Sequence, residues 1–243
     1  MKALDNTLLR NFAPTGTLRV ALNHGNRVLV SRDKAGRAQG ITVDLAGCLA
    51  QELGLPLVFV EMERAIDVAR AAAGDAYDLC FLAIDPERAH TIDFSPPYIR
   101  IEGSYLVNAS CAAADAQVLV AEGYKVGTVE GSAYTLDLAR KPGAENLVYY
   151  PDIDSALQAL DQGQVAALAG IKNVMQTEAS LRQGARVVEP PFMEILQAMG
   201  MPAGRVHAFE YLQAFVAQMA RSGRTGEILE RHGVAAACAV SAV

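Results

Sequence analysis

The chain has 243 residues, enough for one large domain or two small ones with a real core, and its 51% apolar content excludes general disorder. A net charge of −6, with Lys and Arg scattered along the chain, removes the basic footprint of a nucleic-acid binder. No apolar run approaches the roughly 18 residues that a membrane span needs. The first residues carry Lys2, Asp5 and Arg10 and lack the apolar core of about 7–15 residues that marks a signal peptide. The chain is therefore read as cytoplasmic, or as one whose export signal has been replaced at Met1. Cys48, Cys80, Cys111 and Cys238 show neither metal-ligand nor CxxC spacing. Cys48 and Cys80 lie in apolar runs and read as small buried hydrophobes, and unpaired thiols lean toward a reducing compartment.

Residues 1–15 read as a polar arm or short helix that ends in the turn Pro14-Thr15-Gly16. Residues 18–22 alternate as a first strand and stop at Asn23-His24-Gly25-Asn26, a loop of turn formers with side-chain amides. That loop is either ligand-facing or an ordinary connection. An extended piece at 28–31 and a hairpin tip at 33–37 lead to a helix from Gly40 to about residue 53. Leu45, Leu49 and Leu53 share one face of it, and Gly54 closes it. Residues 56–60 form a second strand, and 66–73 a second helix closed by Gly74.

Residues 79–84 read as a short buried strand that Asp85 stops. Asp85-Pro86-Glu87-Arg88 then reads as a helical turn, with Asp as N-cap and Pro at the first helical position. The carboxyl end of a strand is where open α/β sheets place their ligands. Phe94-Ser95-Pro96-Pro97-Tyr98 leaves the site as an extended segment stiffened by proline. Strand, helix, strand, helix, strand in that order predicts a parallel α/β lobe.

Residues 99–104 lead to a strand at 105–107, and the small, polar run 108–115 is a crossing into a second unit. A strand at 126–129 precedes Glu130-Gly131-Ser132-Ala133-Tyr134, which opens a helix over 133–140. Such a start is either an anion site at the positive end of the helix dipole or a bare N-cap. A strand at 147–150, a helix at 154–160, a strand at 165–168, a helix at 172–181 and a short strand at 187–188 follow. Residues 196–201 are extended and return the chain to the first lobe. An amphipathic helix over 208–220 places Leu212, Phe215, Val216 and Met219 on one face, and a last helix covers 226–232. The tail 235–243 is expected to be frayed.

No P-loop, GxGxxG or GxSxG motif occurs. His24, His90, His207 and His232 are far apart without metal spacing, so no catalytic residue, metal or cofactor is assigned. His90 reads as a solvated or capped histidine. Glu102, Glu130 and Glu194 read as ammonium partners or surface charges before they read as general acids.

Three stretches, in order, resemble the family 3 solute-binding proteins, the amino-acid-type receptors of ABC transporters. They are Gly40-Ile41-Thr42-Val43-Asp44-Leu45, then Asp85-Pro86-Glu87-Arg88-Ala89 with Ile92-Asp93-Phe94-Ser95-Pro96-Pro97-Tyr98, then residues 126–134. The resemblance runs from residue 18 to 233, and its middle stretch is the most specific. It implies an α/β periplasmic-binding-protein type II fold of two lobes, joined by two hinge crossovers, with the ligand in the cleft. Lobe one would be 1–105 plus 201–243, lobe two 109–196, and the hinge strands 104–108 and 197–201. Arg88 would bind the ligand's carboxylate with its planar fork. Ala83 and Asp85 would add hydrogen bonds, Asn23 and Asn26 would reach the ligand's side chain, and Ser132, Ala133 and Tyr134 would cap the carboxylate. The implied partners are a small carboxylate or amino acid and the membrane component of an ABC transporter, and the implied location is periplasmic.

Two departures stand out. The family's Gly-x-Thr-x-Thr run is replaced by Phe81-Leu82-Ala83-Ile84-Asp85, shorter and without those hydroxyls. The family's second-lobe aspartate, which holds an α-ammonium, aligns near Gly170. A buried ammonium without an anion costs several kcal/mol. Glu102, close to the first crossover, is the expected replacement; without it the ligand is a carboxylate lacking an amino group. The reading is therefore a non-catalytic receptor that closes by hinge motion. The alternatives are a cyclohexadienyl-dehydratase-type enzyme with Glu102 or Glu194 as general acid, and a cytoplasmic ligand sensor.

Overall fold

Apolar and branched side chains at alternate and consecutive positions build short strands that pair in parallel, with helices between them. In the computed structural model, which describes residues 5–109, 111, 115–116, 119–120 and 122–241, the chain divides into two units. One comprises 1–100 and 196–243, the other 101–195.

The first unit begins with α1 (Asn6–Phe12), capped by the Asp5 side chain, which accepts from the Thr7 N–H. Then come β1 (Leu18–Asn23), the small hairpin β2 (Ser31–Arg32) and β3 (Ala38–Gln39), and α2 (Ile41–Leu53). Gly40 opens α2 at φ 129°, where a Cβ would meet the Leu29 carbonyl oxygen at 2.5 Å, so only glycine fits that bend. β4 (Leu57–Met62), α3 (Ala65–Ala71) and β5 (Leu79–Ala83) follow, and β6 (Ile92–Val107) runs on into the second unit.

β1 pairs in parallel with β4, from Leu18↔Leu57 to Asn23↔Met62, and with β5 through Val20↔Leu79 and Ala21↔Cys80. All residues of β5 are buried, as a central strand covered on both faces requires. Because β1 and β5 run the same way, the loop after Asn23 and the turn after Ala83 leave from one edge of the sheet. Ala21, Val68, Ala72, Tyr77, Cys80, Leu82 and Ile92 form a core cluster in this unit.

In the second unit β7 (Val126–Val129), α4 (Ala133–Leu138), β8 (Leu147–Tyr150), α5 (Ile153–Asp161), β9 (Ala167–Ile171) and α6 (Lys172–Ser180) alternate. β7 lies parallel to β8 and β9, while β6 runs antiparallel to β9, from Gly103↔Ile171 to Val107↔Ala167. Leu106, Leu157, Leu160, Leu168 and Met175 are among the buried residues of its core. β10 (Arg186–Pro202) returns to the first unit, where it pairs antiparallel with β5 from Gln197↔Ala83 to Gly200↔Cys80. α7 (Val206–Arg221) and α8 (Arg224–Arg231) complete the first unit.

The element order matches the mixed α/β expectation, with instructive differences. The separate extended pieces expected over 92–107 are one strand, and so are those expected over 187–201. Ladder partners far away in sequence hold these stretches extended across their prolines, which local pattern cannot show. Ser95 Oγ accepts from the Met199 N–H at 3.2 Å in the first unit, and Ser104 Oγ donates to the Val188 carbonyl at 2.7 Å in the second. The tail is not frayed through 241. Ala236–Cys238 forms a 3₁₀ turn, Ile99 bridges Ala239, and the Val240 N–H donates to the Tyr98 carbonyl. Cys80 is buried as expected, whereas Cys48 is only partly buried. Of the crossing expected at 108–115, residues 110 and 112–114 lie outside the described residues. Among the described residues no helix is long and apolar enough to cross a membrane.

Asp78, at the foot of β5, is completely buried and accepts from the Arg19 N–H and Nε at 3.0 Å, Arg19 Nη2 at 2.9 Å and Arg205 Nη1 at 2.9 Å. Arg205 Nη1 also donates to the Phe12 carbonyl at 3.3 Å, so one carboxylate ties β1, β5, α7 and the end of α1. Burial by itself would raise the Asp78 pKa, but the hydrogen bonds from Arg19 and Arg205 prevail and hold it below the ordinary value. Its stabilisation is complete above the unfolded value near 3.9 and is lost as pH falls through the depressed native one. Asp78→Asn should cost about 3 kcal/mol, the low end for a broken buried pair, because the Arg19 and Arg205 side chains keep 17% and 18% of their exposure. Urea denaturation at neutral pH checks this, and the gap from the parent protein should narrow below about pH 4.

Candidate functional site

The turn after β5 is organised by its own polar groups. The Ile84 N–H donates to the Leu196 carbonyl at 2.9 Å, which holds the strand end. Asp85 Oδ1 accepts from the Glu87 N–H at 2.9 Å and its carbonyl accepts from the Ala89 N–H at 3.0 Å. This is the capped turn expected from Asp-Pro-Glu-Arg, and it continues as a 3₁₀ turn over Arg88–His90. Arg88 Nη1 donates back to the Ala83 carbonyl at 2.9 Å. Asp85 and Arg88 are 4% and 5% exposed, so one short turn holds a buried anion and a buried cation. Desolvation pulls the Arg88 pKa down, and the charge of Asp85 works against that shift. His90 Nδ1 lies 3.1 Å from the Glu87 carbonyl, in keeping with a capped histidine.

The loop after β1 leaves from the same sheet edge. Asn23 Oδ1 accepts from the Gly25 N–H at 3.1 Å, an Asx turn, and its carbonyl accepts from the Asn26 N–H at 3.1 Å. The Asn26 carbonyl accepts from the Leu29 and Val30 N–H groups. Asn26 is 5% exposed, and its Oδ1 has no hydrogen-bond partner among the described residues. Sequence reasoning passed over His24 in this loop. Its Nε2 sits at ion-pair distance from Glu61 Oε2, 3.0 Å, and Arg32 Nη2 approaches the same oxygen at 2.9 Å. Glu61 is on β4, so nothing local in the sequence announces this cluster.

In the second unit Ser132 caps α4, its hydroxyl accepting from the Thr135 N–H at 3.3 Å. Thr135 Oγ1 donates to the Val129 carbonyl at 2.6 Å and lies 2.7 Å from Ser132 Oγ. Of the two readings of this helix start, the structure displays the side-chain N-cap. Ala133 is the first residue of α4, and Tyr134 is buried, which pushes its hydroxyl up to about 12. Glu102 Oε2 is 3.0 Å from Lys172 Nζ, which also contacts Glu189 Oε1 at 3.0 Å. Hydrogen bonds to Glu189 and Glu102 raise the Lys172 pKa. Lys172 stands at the first residue of α6, the unfavourable end of the helix dipole for a cation, and the two carboxylates offset that. A further cluster, invisible in the linear pattern, stacks Tyr105 on Phe192 at 4.5 Å between centroids, with Lys141 Nζ 5.8 Å from the Phe192 ring.

Gly170 faces the core. A Cβ there would lie 2.6 Å from Met175 Cε and 2.9 Å from its Sδ, and Met175 is fully buried. The space that a side chain at 170 would enter is filled by a thioether. Among the described residues no group of three or more His, Cys, Asp or Glu could hold a metal ion.

Residues 18–235 match the model of the bacterial extracellular solute-binding proteins, family 3. The chain belongs to that family. Among solved structures, it is similar to a mutant of ArgBP from T. maritima, with a TM-score of 0.79 and 18% identity over 93% of this chain and 99% of that one. The L-cysteine solute receptor of Neisseria gonorrhoeae gives a TM-score of 0.79 and 19% identity over 94% and 93%. An ancestral amino acid-binding protein, AncCDT-1, described as a precursor of cyclohexadienyl dehydratase, gives 0.75 and 23% over 92% and 97%. No curated protein matches the sequence. At these identities the likenesses establish the fold, which is the two-lobe α/β fold of these binding proteins. The solute-binding family member described here thus carries Arg88 and Asp85 on one lobe and the Ser132 helix start on the other.

Gly170→Ala should cost about 1–2 kcal/mol through overpacking against Met175. Gly170→Asp should cost about 3 kcal/mol or more, because it drives a carboxylate into an apolar core. Thermal or urea denaturation of both variants, alone and with Met175→Ala, reads this; the alanine penalty should vanish once Met175 is truncated.

Proposed function

We propose that this solute-binding protein is the receptor of an ABC-type uptake system and clamps a small carboxylate or amino-acid-like ligand between its lobes. The observation that carries this reading is Arg88, a cationic residue only 5% exposed in the turn after β5. A planar, permanently charged fork kept in a low-dielectric turn is well suited to bidentate capture of a carboxylate. Asn23, Asn26, Ala83, Asp85, Ser132, Ala133 and Tyr134 complete the proposed site, with Glu102 at its margin. The passage of β6 and β10 from one unit to the other supports hinge strands at 104–108 and 197–201, lobes of 1–105 plus 201–243 and 109–196, and closure by bending. The family's extracellular designation supports a place outside the cytoplasm, in the periplasm, facing a membrane transporter component. The similar structures, an ancestral amino acid-binding protein, an L-cysteine receptor and ArgBP, favour ligands of amino-acid size. A dehydratase activity is not favoured, since the family and the similar structures are mainly binding proteins.

Native mass spectrometry of protein purified without added ligand should reveal a bound small acid, which calorimetry then quantifies. Arg88→Ala should weaken binding of that acid at least thirtyfold, about 2 kcal/mol or more for loss of one member of a buried charge pair. Unchanged affinity would remove Arg88 and, with it, the carboxylate reading.

A further inference from the structure

We infer that Ile84 and Leu196 form an apolar platform in the first unit that receives the aliphatic part of the ligand, so that the receptor selects apolar over polar side groups. The inference rests on the receptor reading above and narrows the class of ligand it takes. Ile84 stands between Ala83 and Asp85, in the turn that leads to Arg88. Its N–H donates to the Leu196 carbonyl at 2.9 Å, one step beyond the Gln197↔Ala83 pair, so residues 84 and 196 lie opposite each other. Opposed residues of an antiparallel ladder project their side chains from the same face, within reach of one another.

Alternation along the strands fixes which face this is. Leu82 and Ala198 are opposed two residues back on the same face, and both are buried. Cys80, also on that face, pairs with Ala21, which puts Asn23 of the proposed site on it as well. Ala21, Cys80 and Leu82 belong to the core cluster of this unit. The apolar face therefore runs from the core to the sheet edge and loses its cover at Ile84 and Leu196, which are 42% and 37% exposed. Single exposed aliphatic residues are ordinary, as Val58 and Leu181 are here. This pair differs by its place, contiguous with the core on one side and with the proposed site residues Ala83 and Asp85 on the other. From Leu79 to Ile84 the chain carries no hydroxyl, amide or charged side chain, so this end of β5 offers a ligand side group apolar contact. Arg88 Nη1 donates to the Ala83 carbonyl, so cation and platform share one short turn. A small acid engaged by Arg88 keeps its carbon skeleton beside the pair and covers it. A polar side group there would lose its water without gaining a partner.

The test titrates the protein, stripped by unfolding and refolding, with carboxylates that match in shape and differ in the polarity of the side group. L-leucine with L-asparagine, L-valine with L-threonine, and 4-methylpentanoate with succinamate are such pairs, and glycine is the ligand without a side group. In the pairs that bind, the apolar member should be about tenfold tighter or more, the usual worth of an apolar pocket contact. Ile84→Thr combined with Leu196→Asn keeps the outline of both residues at exposed positions; it should abolish that preference and leave glycine binding unchanged. A polar member that binds the parent protein as tightly as its apolar partner overturns the platform and leaves the receptor in place. So does a double variant that keeps the preference, or one that weakens glycine to the same degree, since the pair would then serve the fold or closure and not the ligand. The comparison on the parent protein needs no variant and decides the matter even if the double variant folds poorly. If none of these carboxylates binds, the receptor reading itself fails and takes this inference with it.

Discussion

Asp78 is the constraint on which the first unit depends. A carboxylate with no exposure can stay charged only where donors surround it, and here they come from the backbone and side chain of Arg19 and from Arg205. Meeting that demand brings the start of β5 beside the start of β1 and draws the start of α7 against both. The parallel register that results, Val20 with Leu79 and Ala21 with Cys80, makes both strands end at one edge. The loop after β1 and the turn after β5 owe their common edge to a charge at the opposite end of the same strands.

At that edge the chain concentrates desolvated polarity. Asp85, Arg88 and Asn26 are all at most 5% exposed, and their surroundings are built from the turn's own carbonyls and N–H groups. The second unit handles charge differently. Lys172, Glu102 and Glu189 pair among themselves across α6 and the two crossover strands, and so fix those strands on their own unit. Both units use carboxylates to hold the fold, Asp78 in the first and Glu102 with Glu189 in the second.

Local pattern read much of this correctly because its causes are local. The Asp-Pro-Glu-Arg turn, the Ser132 cap, the apolar faces of α2 and α7 and the buried β5 each follow from residues within one or two turns of one another. The long crossover strands, the docking of the tail on Tyr98 and the pairing of His24 with Glu61 were illegible because their partners lie on other elements. The same holds for Glu102. Its charge was visible in the sequence, but Lys172 was not visibly its partner.

What the amino-acid sequence by itself determined was the order of elements and the caps and turns, including the one that carries Arg88, since hydrogen-bonding side chains and apolar periodicity act over a few residues. What only the tertiary structure decided was which charges pair and which are buried. Burial and pairing are properties of the packed chain. They assign Glu102 to Lys172, fill the space beside Gly170 with Met175, and bury Asp85 and Arg88 in one short turn.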